Sequence, residues 1–244
     1  NTYTGGTTIT AGTLSVGADS NLGGSGAITL NGGTLKITSG AAFSTARAIN
    51  VLASSTINNS DTSGITFTGN VLSTAASGTQ TLSITGANST TFSTGVISNG
   101  VSGGTLAFTQ NATGTTTLSG ANTYTGGTTI SGGTLSIATG GSSGSNLSTG
   151  AVTIGGGTLV ISAGNTIGNN ITLSAGANEI AAASSITATL SGILSGNGTG
   201  ALVVGDSTNN GTIILSNGSN TYTGGTTITA GTLSVGADSN LGGS

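Results

Sequence analysis

The chain has 244 residues, and only seven of them carry a formal charge: Asp19, Asp61, Glu179, Asp206 and Asp238 against Lys36 and Arg47. Chemistry on a polysaccharide would need carboxylates held a few ångströms apart, with a base or a bound metal beside them. No two of the acids are neighbours in sequence, so stacking of distant segments would have to bring a pair together, and they read as solvated turn residues. Histidine and cysteine are absent, which excludes histidine-based triads and Cys/His metal clusters. Repeat-type calcium sites need an aspartate in every repeat, and Gly17-Ala18-Asp19 lacks that regularity. The Gly-Gly pairs lack the lysine and the following helix of a phosphate loop. The expectation is a non-enzyme with no catalytic, cofactor-binding or metal-binding residues and no cofactor.

Tyr3, Tyr124 and Tyr222 are the only tyrosines, and each stands in the phrase N-T-Y-T-G-G. A periodic aromatic row for sugars is one use of such spacing. The plainer expectation is that each ring covers a corner of the fold while its hydroxyl finds a backbone partner.

The elements that position these residues are repeats. NTYTGGTTITAGTLSV at 1–16 returns as NTYTGGTTISGGTLSI at 122–137 and unchanged at 220–235, and residues 1–25 and 220–244 are identical over a displacement of 219 positions. Self-similarity of this kind signals a solenoid. Inside the phrase, residues 7–10 alternate around Ile9, Ala11-Gly12 supplies a bend, and residues 13–16 alternate with Leu14 and Val16 on one side. Period two over four residues means strand, and a corner glycine takes the positive φ that a β-branched residue avoids. Ile9, Leu14 and Val16, with their equivalents Ile130, Leu135 and Ile137, are therefore expected to point inward. The Gly-Thr-Leu-x-apolar phrase recurs at 33–37, 104–108 and 157–161.

The phrase N-T-Y-T-G-G-T-T-I, followed by a glycine corner and G-T-L, resembles the passenger-associated β-strand repeat of bacterial autotransporters, closely over 1–37, 114–162 and 211–244. The resemblance implies a right-handed parallel β-helix on an exported protein at the bacterial surface or outside the cell.

Composition points the same way. There are 47 glycines and no proline; glycine without the every-third spacing of collagen, beside many Ile, Leu and Val, excludes a collagen helix and opposes disorder. Missing proline suits strands whose every N–H is needed by the next coil. A charged fraction of 3% and a net charge of -3 leave no basic block for nucleic acid, and no apolar run long enough to span a bilayer is present.

The reading is an all-β solenoid without helix, a single continuous segment in which a 219-residue unit (1–219) is followed by the start of the next (220–244). At about 20 residues per coil it holds roughly 11 to 12 coils, and the two identical stretches are expected to share one conformation and be related by translation along the axis. The expected role is a structural repeat, a stiff rod, stalk or fibre of adhesin or passenger type that stacks on further copies of its own repeat. The alternative is a binding module that uses flat Thr-rich faces for glycan or ice, with a glycan or host-surface receptor as partner. A β-helix enzyme is a third class, which the scarcity of acids and bases opposes.

Overall fold

In the computed structural model residues 1–138, 145–196 and 199–243 are described; the glycine-serine loop read at 140–144 lies outside them. The described residues contain no α-helix, only single 3-10 turns at Asp19–Leu22, Ser145–Leu147 and Asp238–Leu241. Strands are short, pair in parallel and return to the same face once per coil, so the fold is a parallel β-solenoid. It divides into two compact units, Asn1–Gly126 and Gly127–Ser244.

In the first unit three faces stack. Thr7–Ile9, Ile28–Asn31, Ile49–Ala53, Val71–Ser73 and Ile97–Ser98 make the first. Thr13–Val16, Thr34–Ile37, Ser55–Asn59, Thr79–Gly86 and Thr105–Gln110 make the second, and Phe43–Thr45, Ile65–Phe67, Thr90–Phe92 and Thr115–Leu118 the third. The alternation of each strand sends one residue in two to the interior, and the parallel register places like on like. Ile28 lies over Ile49, Ile49 over Val71 and Val71 over Ile97, while Leu14, Leu35, Ile57 and Ile84 form a second column. A coil here advances 21, 21, 22 and then 26 residues, from Thr7 to Ile28, Ile49, Val71 and Ile97.

The four phenylalanines of the chain all lie in this unit and, with Tyr124, form an unbroken row inside it. Centroid separations are 6.3 Å for Phe43–Phe67, 5.2 Å for Phe67–Phe92, 6.0 Å for Phe92–Phe108 and 6.5 Å for Phe108–Tyr124. These distances fall within the range in which offset or edge-on rings attract beyond their area of burial.

The second unit repeats the plan with aliphatic filling. Thr128–Ile130, Val152–Ile154, Ile171–Leu173 and Leu194–Ser195 share one face. Thr134–Ile137, Thr158–Ile161, Gly176–Ala182, Gly200–Val204 and Thr226–Ile228 share the next, and Thr166–Ile167, Thr187–Leu190, Thr212–Leu215 and Thr232–Val235 the last. Each unit contributes five coils, about ten rather than the 11 to 12 expected. The difference comes from the corners: side loops lengthen most coils beyond 20 residues, as from Thr128 to Val152 and from Ile171 to Leu194.

Phase differs between copies of the phrase within the second unit. Within the second unit the Thr-Thr-Ile strand of the phrase lies on one face at 128–130 and on the following face at 226–228, the face that Thr134–Ile137 begins. The copies 98 positions apart are thus offset by a third of a turn as well as by whole coils, and translation alone does not relate them. What is preserved is local conformation. The corner glycines Gly12, Gly133 and Gly231 all take positive φ, at 70°, 53° and 73°. Ile9, Val16, Ile130, Leu135 and Ile137 are buried as expected, and Leu14 is half-buried.

Candidate functional site

Of the polar residues that sequence reasoning singled out, Lys36 and Glu179 stand in strands and the others lie at or beside corners. Asp19 sits in the 3-10 turn after the first phrase, and the buried side chain of Arg47, two residues before Ile49–Ala53, reaches it from the following coil. Arg47 Nε donates to Asp19 Oδ1 at 2.7 Å and Nη2 to Oδ2 at 3.2 Å. The remaining guanidinium hydrogens go to the carbonyls of Gly23 (2.8 Å), Gly24 and Gly26 (2.9 Å). Burial would raise the Asp19 carboxyl, but hydrogen bonds from Arg47 and Thr45 and the guanidinium charge outweigh it and hold the group below its ordinary value. Every donor of Arg47 is thus spent on a corner whose carbonyls would otherwise be buried unpaired.

The second unit solves the same corner without charge. Asn169, two residues before Ile171–Leu173, donates to Ser148 O at 3.1 Å and Gly150 O at 2.6 Å, the counterparts of Gly23 and Gly26. A small cleft accompanies each clamp. One of about 160 Å³ is lined by Asp19, Ser25, Ala46 and Arg47, and one of about 210 Å³ by Ser148, Thr149, Gly168 and Asn169. Both are below the roughly 300 Å³ at which ligand pockets usually begin. These clamps were not legible from motifs, since Arg47 and Asn169 differ in type and share only their distance before the next strand.

Two expectations about the acids are corrected. Asp61 is not a solvated turn residue but fully buried. Its N–H donates to Asn59 Oδ1 (2.9 Å) and its Oδ1 accepts from Ser63 N (2.6 Å), while Oδ2 has no partner. The strand Ser55–Asn59 runs on to within two residues of it, and Asn59 is itself buried. Glu179 and Asp206, 27 positions apart, are brought together by stacking of Gly176–Ala182 on Gly200–Val204. Burial, and then the Asp206 charge and the hydrogen bond to Asp206, raise the Glu179 carboxyl against the opposing bond from Thr158 Oγ1 at 2.9 Å. Glu179 Oε1 is buried without a hydrogen-bond partner. Asp206 moves the other way: burial is outweighed by bonds from the Asn209 side chain, the Asn209 and Thr208 backbones and Glu179. Thr208 N and Asn209 N reach its Oδ1 at 2.6 and 2.7 Å, and Asn209 Nδ2 its Oδ2 at 2.8 Å. The Asp206 carboxylate thus closes the turn over residues 206–209. Among the described residues no three of His, Cys, Asp and Glu are grouped to hold a metal.

The tyrosines also prove to be corner residues. Tyr124 and Tyr222 are buried and Tyr3 is partly exposed. The hydroxyl partner is a side chain, not the backbone expected: Tyr3 bonds Thr7 Oγ1 at 2.7 Å and Tyr222 bonds Thr226 Oγ1 at 2.8 Å. The Tyr3 and Tyr222 rings each lie against a glycine of the closing turn. Gly23 and Gly242 have φ of 74° and 80°, and a Cβ on either would stand 2.5 Å from the Tyr3 or Tyr222 carbonyl oxygen. The asparagine that opens the phrase hydrogen-bonds the coil beneath it. Asn122 Oδ1 accepts from Ile97 N (2.9 Å) and Asn220 Oδ1 from Leu194 N (2.8 Å).

Asn, Tyr, Gly-Gly and the Thr-Leu strand of the phrase therefore form one structural corner, and three stretches of the chain, residues 1–16, 108–137 and 208–235, match the passenger-associated-transport-repeat. Those three stretches are similar to passenger-associated-transport-repeats. All three matches include the corner and the two short strands after it, and the second and third also take in the strand before it, Thr115–Leu118 or Thr212–Leu215. No curated protein and no solved structure matches the chain. Among the described residues no helix is long and apolar enough to cross a membrane.

Proposed function

We propose that the chain is a non-enzymatic structural segment of the passenger region of an exported bacterial surface protein, with its coils serving as a stiff support. The observation that carries this reading is the use made of the polar groups. Arg47 and Asp19, Asn169, Asn122 and Asn220 all bind the chain to a neighbouring coil of its own, the Tyr3 and Tyr222 hydroxyls tie their own corners, and outward hydroxyls link coil to coil. Thr79 bonds Thr105 at 2.8 Å, Ser136 bonds Ser162 at 2.9 Å and Asn58 bonds Thr85 at 2.9 Å. Such coil-to-coil bonds stiffen a solenoid whose units each touch only their neighbours. They also count against the alternative of an ice- or glycan-binding face, as does Lys36 standing in the outer row of Thr34–Ile37. The passenger-associated-transport-repeat supports export.

The test is to express the native gene in its host and label intact cells with antibody raised against this segment. Labelling of unpermeabilised cells is expected, together with no release of sugar when the purified segment is incubated with polysaccharides. Labelling only after permeabilisation would refute the surface location. Polysaccharide turnover lost in Glu179→Gln or Asp61→Asn would refute the structural role.

A further inference from the structure

In an asparagine followed by glycine, the glycine amide nitrogen can reach the side-chain carbonyl carbon, close a cyclic imide and expel ammonia. The sequence has five such pairs, at Asn31, Asn99, Asn197, Asn210 and Asn217. Asn197 and Gly198 lie outside the described residues, and the fold treats the other four differently.

Asn99 follows the strand Ile97–Ser98 of the first unit. Its Oδ1 accepts from two backbone N–H groups, Leu106 at 2.9 Å and Thr125 at 3.0 Å, and its Nδ2 donates to Thr125 Oγ1 at 2.8 Å. Two donors at these distances on one carbonyl oxygen stabilise the anion that forms when a nucleophile adds to the carbonyl carbon. The hydroxyl stands where a departing nitrogen needs a proton. Gly100, the nucleophile, is exposed, and among the described residues nothing accepts a hydrogen bond from its N–H. Its φ is 72° and a Cβ there would collide with Ser73 O, so the position calls for glycine and no side chain shields the amide.

The other pairs each lack a part. Gly32 N donates to Ser55 Oγ at 2.9 Å and Gly211 N to Ala182 O at 3.0 Å, so neither is free to attack. Asn217 Oδ1 accepts from Ser219 N alone among the described residues, at 2.8 Å, and its Nδ2 donates at 2.9 Å to Ser191 O, a carbonyl with no proton to return.

We infer that Asn99 is a site of self-modification, at which the folded first unit turns a side-chain amide into a carboxylate. Gly100 N gives its proton to water and bonds to Asn99 Cγ, while the carbonyl electron pair moves onto Oδ1 under the Leu106 and Thr125 N–H groups. As that pair returns, the Cγ–Nδ2 bond breaks, and the nitrogen leaves as ammonia with a proton from Thr125 Oγ1, which regains one from water. Water then opens the imide at Cγ to give aspartate, or at the backbone carbonyl to give isoaspartate. The corner accepts aspartate without loss. The same two N–H groups bind a carboxylate oxygen more strongly than an amide oxygen, and the Thr125 hydroxyl turns to donate to the other oxygen. Thr125 belongs to the second N-T-Y-T-G-G phrase, so the new charge appears beside a repeat corner. The inference stands whether or not the surface role proposed above is correct.

The four pairs can be compared within one chain. The purified protein is incubated in warm, mildly alkaline buffer, folded or unfolded in guanidinium chloride, and peptides holding each asparagine are followed by mass spectrometry for conversion of amide to acid. Asn99 is expected to convert several-fold faster folded than unfolded, Asn217 to lag behind it, and Asn31 and Asn210 to convert more slowly folded than unfolded. Thr125→Val, at an exposed position, should slow Asn99 several-fold and leave the other three unchanged, and Thr125→Ser should restore the rate. Conversion of Asn99 no faster folded than unfolded overturns the inference, because the fold would then shield the pair or merely tolerate its reaction. A rate at Asn99 indifferent to Thr125→Val overturns it as well.

Discussion

The two units are built on one plan and filled differently. The first holds a row of four phenylalanines and a tyrosine and ties its opening corner with a buried guanidinium; the second is packed with Ile, Leu and Val and ties the same corner with an amide. The lesson is that a parallel solenoid constrains position more than identity. An inward site must be apolar and stack on its equivalent, and a corner carbonyl must meet a donor, but either of two chemically unlike side chains meets the second demand. Only the charged solution makes the corner sensitive to pH.

The strongest way to break the comparison is through the aromatic row. Phe67→Ala removes the ring shared by two of its contacts and should destabilise the first unit by about 3–5 kcal/mol. The effect should stay local because each coil touches only its neighbours. Hydrogen exchange resolved by peptide should show faster exchange over 43–118 and unchanged protection in the second unit; equal loss in both would mean that the units do not respond separately.

The corner clamps sharpen it at smaller scale. Arg47→Ala leaves three carbonyls and a carboxylate without their donor, for about 2–3 kcal/mol once rehydration of the partly exposed Asp19 is allowed for. Asn169→Ala should cost about 1–2 kcal/mol. Only the first should depend on pH. Because Asp19 is held below its ordinary value when folded, its stabilisation is present above the usual aspartate range and is lost as pH falls through the folded value. Urea unfolding of the wild type and both variants at neutral and strongly acid pH should show the Arg47→Ala deficit shrinking in acid while that of Asn169→Ala holds.

The smallest expected effect lies in the second unit. Glu179 is raised when folded, so its protonated form favours the fold at low pH and that contribution disappears as pH rises through the folded value. Glu179→Gln should therefore stabilise the unit slightly at neutral pH and make no difference below the usual glutamate range. A loss of stability at neutral pH would show that the carboxylate, not its proton, is what the site needs.

The alternation of Thr7–Ile9, Thr13–Val16 and their equivalents was sufficient to establish strands, inward faces and the bend at Gly12, because period two and the steric freedom of glycine act within a few residues. The repeated phrase, read the same way, established stacking. Tertiary structure alone decided the rest. Corner loops of unequal length set the number of coils and shifted the second-unit copies of the phrase by one face, and no local preference encodes how far a loop runs before its strand finds the ladder. The phenylalanines at 43, 67, 92 and 108 are irregularly spaced, so their row exists only once the coils are stacked. Asp61 became buried just beyond the strand Ser55–Asn59, and Glu179 met Asp206 because parallel register laid one strand over another 24 residues away. Pairings of that kind depend on which coil lies above which, a long-range choice settled by burial and ladder hydrogen bonds across the whole stack rather than by the residues that meet.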